Sequence, residues 1–216
     1  MTLYDRSGLD IDRGLVGFWK LNDKRITATK AIDYAKFNDG TITGAINATG
    51  YNGLNPDAMY FDGVDDIIDC GVPTYNITTK LTLCAWAKMD ANANFGRIVA
   101  TEAAWGMLQN TNTGELRFYG TGVDNNFPNS GQYMNDGKWH HFAVTYDGLV
   151  VRGYVDGASV GTLALTGDLT DAAAISVCIG NRTAADRAFE GNISNVRIYD
   201  RTLTDGEISK LHRLKK

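Results

Sequence analysis

Three prolines and three cysteines in 216 residues set the first limits. Scarce proline beside 24 glycines fits a chain of short strands joined by tight turns, because glycine supplies the positive φ that such turns need. An odd number of cysteines, with Cys84 and Cys178 inside apolar stretches, argues against a disulfide framework and for buried thiols acting as small hydrophobes. No apolar run approaches the ~20 residues that span a bilayer, so membrane insertion is not expected. The net charge of −4 carries no basic footprint for nucleic acid apart from the terminal KLHRLKK, which reads as a solvated helix end. MTLYDRSGLDIDRGL spreads its charges and lacks the apolar core of a secretory signal, so export by the usual route is not expected. A mature chain cut from its signal is the other reading. The length suits one large or two small domains, and since nothing marks a linker, one is expected.

What is present is organised around DGKWHHFAVTYDGLVVRGYVDG, Asp136 to Gly157. Two runs rich in Val, Tyr, Phe and Trp are separated by Asp147-Gly148 and closed by Asp136-Gly137 and Asp156-Gly157, a strong hairpin signal. The runs alternate only loosely, as strands covered on both faces do. About a dozen such segments at near-regular spacing predict a two-sheet antiparallel sandwich. Thr204 and Glu207 have the spacing of a capping box, and Ile208, Leu211 and Leu214 share a face, which predicts one helix over 204–214. Residues 1–13 read as a polar N-terminal arm and 14–216 as the domain.

The string DGKWHH-x-A-x-TYDG followed by YVDG resembles the hairpin of the LamG-like jelly-roll family, within the concanavalin A-like lectin and glucanase superfamily. GLVGFWKLND, DYAKFNDGTITGA, AMYFDGVDDIIDCG, LTLCAWAKM and FEGNISNVRIYDRTLTDGEISKL resemble further family segments in the same order. The resemblance covers about residues 14 to 211 and implies an all-β concanavalin A-like jelly-roll with a short C-terminal helix. It is nearly silent on function, because one fold hosts unrelated activities.

Enzymes of the superfamily hydrolyse glycosides with carboxylates set on alternate residues of a strand, in the pattern E-x-D-x-E. Here Glu102, Glu115, Glu190 and Glu207 are the only glutamates, and none has an acid two positions later, so that site is excluded. His140 and His141 point to opposite faces of a strand and cannot act together; an interior, hydrogen-bonded role is expected. For a structural Ca²⁺, which many sandwiches of the superfamily hold, Asp33, Asn38 and Asp39 are the candidate ligands, with Asp62, Asp65, Asp66 and Asp69 a second oxygen-rich group. The competing reading is that these side chains bond their own turns. Ser194, where the family usually has Asp, removes one carboxylate.

The candidate ligand surface is the loop Gly120 to Asp136, where Asp124, Asn125 and Asn126 offer hydrogen bonds and Phe127 and Tyr133 offer rings for stacking on sugars. Trp19, Trp86, Trp105 and Trp139 lie in strand-like runs and read as core. An adhesive fold without a catalytic acid pair, an export signal or disulfides predicts a non-catalytic display module on a bacteriophage virion. Its arm and tail would dock on other virion proteins, and its loops would meet surface glycans. A carbohydrate-binding module of a secreted bacterial protein, placed outside the cell, and a polysaccharide-active enzyme with an unfamiliar site are the rival readings.

Overall fold

The computed structural model describes residues 10–21, 29–35, 37–54, 56–90, 95–110, 114–120, 123–127, 135–164, 166–170 and 174–214, with backbone alone at 123–126. Sixteen strands are found among these residues. The first six are β1 Leu15–Trp19, β2 Lys30–Ala31, β3 Gly40–Thr43, β4 Ile46–Ala48, β5 Ala58–Asp62 and β6 Ile67–Asp69. Then come β7 Leu81–Met89, β8 Arg97–Thr101, β9 Trp105–Gln109, β10 Leu116–Gly120 and β11 Val123–Asn126. The last are β12 Trp139–Tyr146, β13 Val150–Val155, β14 Ala158–Ala164, β15 Val177–Ile179 and β16 Glu190–Tyr199, followed by helix α1, Asp205–Arg213.

The strands form two antiparallel sheets: β14-β13-β12-β7-β16-β5-β4 with β1 beside β16, and β11-β10-β9-β8-β15-β6-β3-β2. This is the expected jelly-roll sandwich. Alternation along β7 assigns its two faces. Leu81, Leu83, Ala85, Ala87 and Met89 enter the core between the sheets, whereas Cys84 belongs to a second apolar cluster on the outer face, with Ala143, Tyr154, Tyr199, Leu203, Ile208 and Leu211. The loose alternation of LTLCAWAKM therefore has a cause: α1 covers the outside of this sheet, so both faces of the strand are buried.

Thr204 caps α1 as its spacing predicts, accepting from the Glu207 amide while Glu207 bonds back to the Thr204 amide. Arg201 then joins helix and N-terminal arm, pairing with Glu207 at 2.7 Å and donating to the carbonyls of Asp10 at 2.9 Å and Arg13 at 2.7 Å. Ile11 is buried in the outer cluster, so residues 10–13 of the expected N-terminal arm dock on their own domain. Residues 1–9, and Lys215 and Lys216 of the expected docking tail, lie outside the described residues.

Of the three Asp-Gly pairs between residues 136 and 157, one closes a two-residue hairpin. Asp156 and Gly157 have φ of 51° and 80°, and Val155 pairs with Ala158. Asp147 instead accepts the amides of Leu149 and Val150, and Asp136 accepts that of Lys138, as short carboxylates do in wider turns. Among the described residues, no helix is long and apolar enough to cross a membrane.

Candidate functional site

The expected ligand loop is partly a strand. Asp124, Asn125 and Asn126 lie in β11, paired with Tyr119, Phe118 and Arg117; their side chains and all of Tyr133 are outside the description. Phe127 is not a sugar platform. Its ring is fully buried in the main core against Gly153, where an added Cβ would come within 2.6 Å of it. The hairpin turns the chain inward at that point, and an aromatic ring gains about 1.5–3 kcal/mol there by leaving water.

The candidate calcium loop is held by its own chain. Asp33 accepts four amides, from Phe18 and Ala35 on Oδ1 and from Phe37 and Asn38 on Oδ2, all within 2.8–3.0 Å. Asp39 accepts the Asp33 amide at 2.9 Å and pairs with Lys30 at 2.8 Å; the bond from Lys30, then that from Asp33, lowers its pKa. Among the described residues, those that could hold a hard cation are Asp62, Asp65 and Asp66, one oxygen from each lying within 4.8 Å of the others. Burial raises the pKa of Asp66, although its Oδ2 accepts the Asp62 amide. Ser194 is a fastener instead of a ligand: its hydroxyl meets the carbonyls of Asp57 at 2.7 Å and Lys20 at 3.2 Å beside a bulge in β16.

The two histidines point to opposite faces, as expected, yet share Asp156. His140 Nδ1 lies 2.6 Å from Asp156 Oδ2 and Nε2 lies 3.3 Å from Asp136 Oδ1, while the His141 amide donates to Asp156 Oδ1 at 2.9 Å. The Asp156 bond, ahead of the opposing effect of burial, raises the His140 pKa. The side chain of His141 is different. It is buried beneath α1 between Trp86 and His212, neither ring nitrogen has a hydrogen-bond partner among the described residues, and burial drives its pKa down to about 3. The expected interior hydrogen bonds are found for His140 and not for the His141 ring.

The tryptophans divide as well. Trp19 and Trp105 are core, but Trp86 and Trp139 stand on the outer face, because β7 and β12 pair Trp86 with His141 and Lys88 with Trp139. Trp139 is half-buried at the end of its strand and lines an open groove with Thr49, Gly50, Tyr51, Lys88 and Asn192. Tyr51 meets the Trp139 ring edge-on at 6.3 Å and stacks on Trp86 at 4.2 Å with 2° between planes. Its hydroxyl donates to the Leu214 carbonyl at 3.3 Å, so the aromatic wall is braced by the end of α1. Lys88 is paired with Asp90 at 3.4 Å. Half-exposed rings beside an ammonium and an amide on a rigid sheet are the groups that bind sugars: faces for C–H stacking, donors and acceptors for hydroxyls. Lys88, set one alternation beyond Trp86 as the one charged residue of its strand, was the available sequence signal; Tyr51 gave none.

Sandwich, outer helix and polar groove with aromatic walls define an all-β jelly-roll of the lectin type. A model of the concanavalin A-like lectin/glucanases superfamily, Laminin_G_3, matches residues 62–209, and the chain belongs to this family. Neuronal pentraxin-2 of Cavia porcellus is 27% identical over 148 residues, 61% of this chain; the chain spans about a third of that relative's length, 34%. Among solved structures, domain 4 of AbnA, a GH43 extracellular arabinanase from Geobacillus stearothermophilus in complex with arabinotriose, superposes with a TM-score of 0.70 at 19% identity. That match covers 92% of this chain and 98% of that one. Trypanosoma rangeli sialidase gives 0.64 at 18% identity, covering 98% of this chain and 35% of the enzyme. These likenesses show the fold.

Proposed function

We propose that the chain is a non-catalytic carbohydrate-binding or adhesion module whose glycan lies in the groove between Tyr51 and Trp139. The observation that carries this is the half-buried Trp139 and Tyr51 pair standing over Lys88 and Asn192 on an open face. None of the side chains lining the groove is a carboxylic acid, whereas glycoside hydrolysis ordinarily uses two. The AbnA domain, solved with arabinotriose, supports sugar binding as a use of this fold. Glycan-array screening followed by calorimetry tests the reading. Trp139→Ala is expected to weaken the best glycan at least ~10-fold, about 1.4 kcal/mol, with native circular dichroism. Binding that survives the substitution would remove the groove from consideration, and hydrolysis of any bound polysaccharide would overturn the non-catalytic assignment.

As the setting we propose a virion surface, supported by three cysteines that are all buried and unpaired, as suits synthesis in a reducing compartment. The N-terminal arm and the C-terminal tail would carry the contact with neighbouring virion proteins. Mass spectrometry of purified particles, with antibody labelling, decides between this setting and a secreted adhesion module. The calcium expectation passes to Asp62, Asp65 and Asp66: Ca²⁺ is expected to raise the unfolding midpoint of the wild type and not of Asp65→Asn.

A further inference from the structure

We propose a second saccharide site, at the other end of β12, in the cleft formed by Thr145, Arg152, Tyr154, Thr202 and Asp205, and that it takes a neutral vicinal diol. The cleft exists because β12 and β13 pair Thr145 with Arg152 and Ala143 with Tyr154 on the outer face, while the turn leading into α1 supplies the opposite wall. Its volume, about 550 Å³, falls within the ~300–1,000 Å³ of small-molecule sites.

The floor of the cleft is incompletely satisfied. Thr145 is 1% exposed, and its hydroxyl makes no well-formed hydrogen bond among the described residues; it reaches only the Tyr154 phenol, where it opposes the rise that burial imposes on that group. A buried hydroxyl in this position costs about 1–3 kcal/mol unless something enters to bond it. The neighbouring groups are only partly engaged. Tyr154 donates to Asp205 Oδ1 at 2.7 Å, and Asp205 Oδ2 takes no bond among the described residues. One of the five N–H donors of Arg152 goes to Asp147 at 2.9 Å, and Thr202 donates to the Tyr146 carbonyl at 2.6 Å.

Charge then selects the ligand. Arg152 is neutralised by Asp147, Asp205 stands exposed on the lip, and the Glu207 amide in the first turn of α1 is already taken by Thr204. The carboxylate of Asp205 in the first turn opposes the positive end of the helix and disfavours an anion here. Adjacent hydroxyls, each both donor and acceptor, match a carboxylate oxygen, a guanidinium N–H and the Thr145 hydroxyl together. Thr145 and Trp139 are six residues apart on one strand, which places the cleft ~20 Å from the groove at about 3.4 Å per residue. Ile208 and Leu211 of α1 pack against the sheet between them. The two sites are thus separate, and this one stands whether or not the groove binds.

The test is an amide-resolved NMR titration of the full chain with three probes, the methyl glycosides of glucose, galactose and arabinofuranose, and inorganic phosphate as control. The expected result is saturable shifts at Thr145, Tyr154 and Gly206 with at least one glycoside. These should weaken at least tenfold in Arg152→Ala and about fivefold in Thr145→Val, stay unchanged in Trp139→Ala, and be absent with phosphate. Shifts confined to Trp139 and Tyr51 would sink this proposal and leave the groove standing. Shifts confined to the cleft would do the reverse. Shifts at neither sink both, and a response to phosphate alone overturns the ligand class.

Discussion

A histidine ring shut away from water with no hydrogen-bond partner is a liability that titration exposes. His141 in the folded chain resists protonation down to about 3, while in the unfolded chain it takes a proton near pH 6.5. Stability is therefore lost as pH falls from about 6.5 toward 3. His140 behaves oppositely: its pKa is raised, first by the Asp156 bond, so its contribution is complete below about pH 6.5 and is lost as pH rises through the folded value. We expect His141→Leu to flatten the acid limb and, by removing two unpartnered nitrogens, to raise stability at pH 7 by about 1 kcal/mol. His140→Ala should flatten the neutral-to-alkaline decline instead. Urea midpoints at pH 4, 5, 7 and 9 check both; an unchanged acid limb in His141→Leu would contradict the assignment. That the two rings face opposite ways was legible from strand geometry. That Asp156 serves both was not, because the hairpin register, Phe142 opposite Val155, brings it there.

At the scale of elements, α1 tests how far a local signal carries. The capping box is read within four residues, and it formed as read. Thr204→Ala is expected to cost about 1 kcal/mol. Glu207→Gln should cost more, about 1–3 kcal/mol, since it leaves the largely buried Arg201 guanidinium without its charge partner. Denaturant unfolding measures both. Cys84 lies under this helix, fully buried, its thiol pushed up to about 12 by burial. Disulfide-exchange labelling of the native protein should therefore be slow at Cys84, Cys70 and Cys178, and Leu211→Ala should speed it several-fold at Cys84 alone. Equal acceleration at all three would mean the helix does not open separately. The short strands β2, β4 and β11 were not legible, because two to four residues at a sheet edge are fixed by the partner strand and not by their own pattern. β11 in particular lay hidden in a stretch whose Asn and Gly content reads as loop.

For the whole molecule the decisive strand is β16. It lies between β7 and β5 and also pairs with β1, joining residues near both ends of the chain. Loop closure of that size precedes the contacts that reward it, so folding is expected on the millisecond-to-second scale. A chain ending before Glu190 should show no cooperative unfolding by circular dichroism, because β7, β5 and β1 would each lose a neighbour; a native-like transition in that fragment would refute this.

Periodicity and turn residues determined the sandwich, the central hairpin and the capped helix, because each depends on contacts a few residues apart and on which side of a strand is apolar. Tertiary structure alone decided the rest. It turned Phe127 into the core, satisfied Asp33 with amides from β1 and its own loop, and brought Tyr51, Lys88, Trp139 and Asn192 to one face. Those four come from separate stretches of chain, and only inter-strand register, set by burying both faces of β7, makes them neighbours.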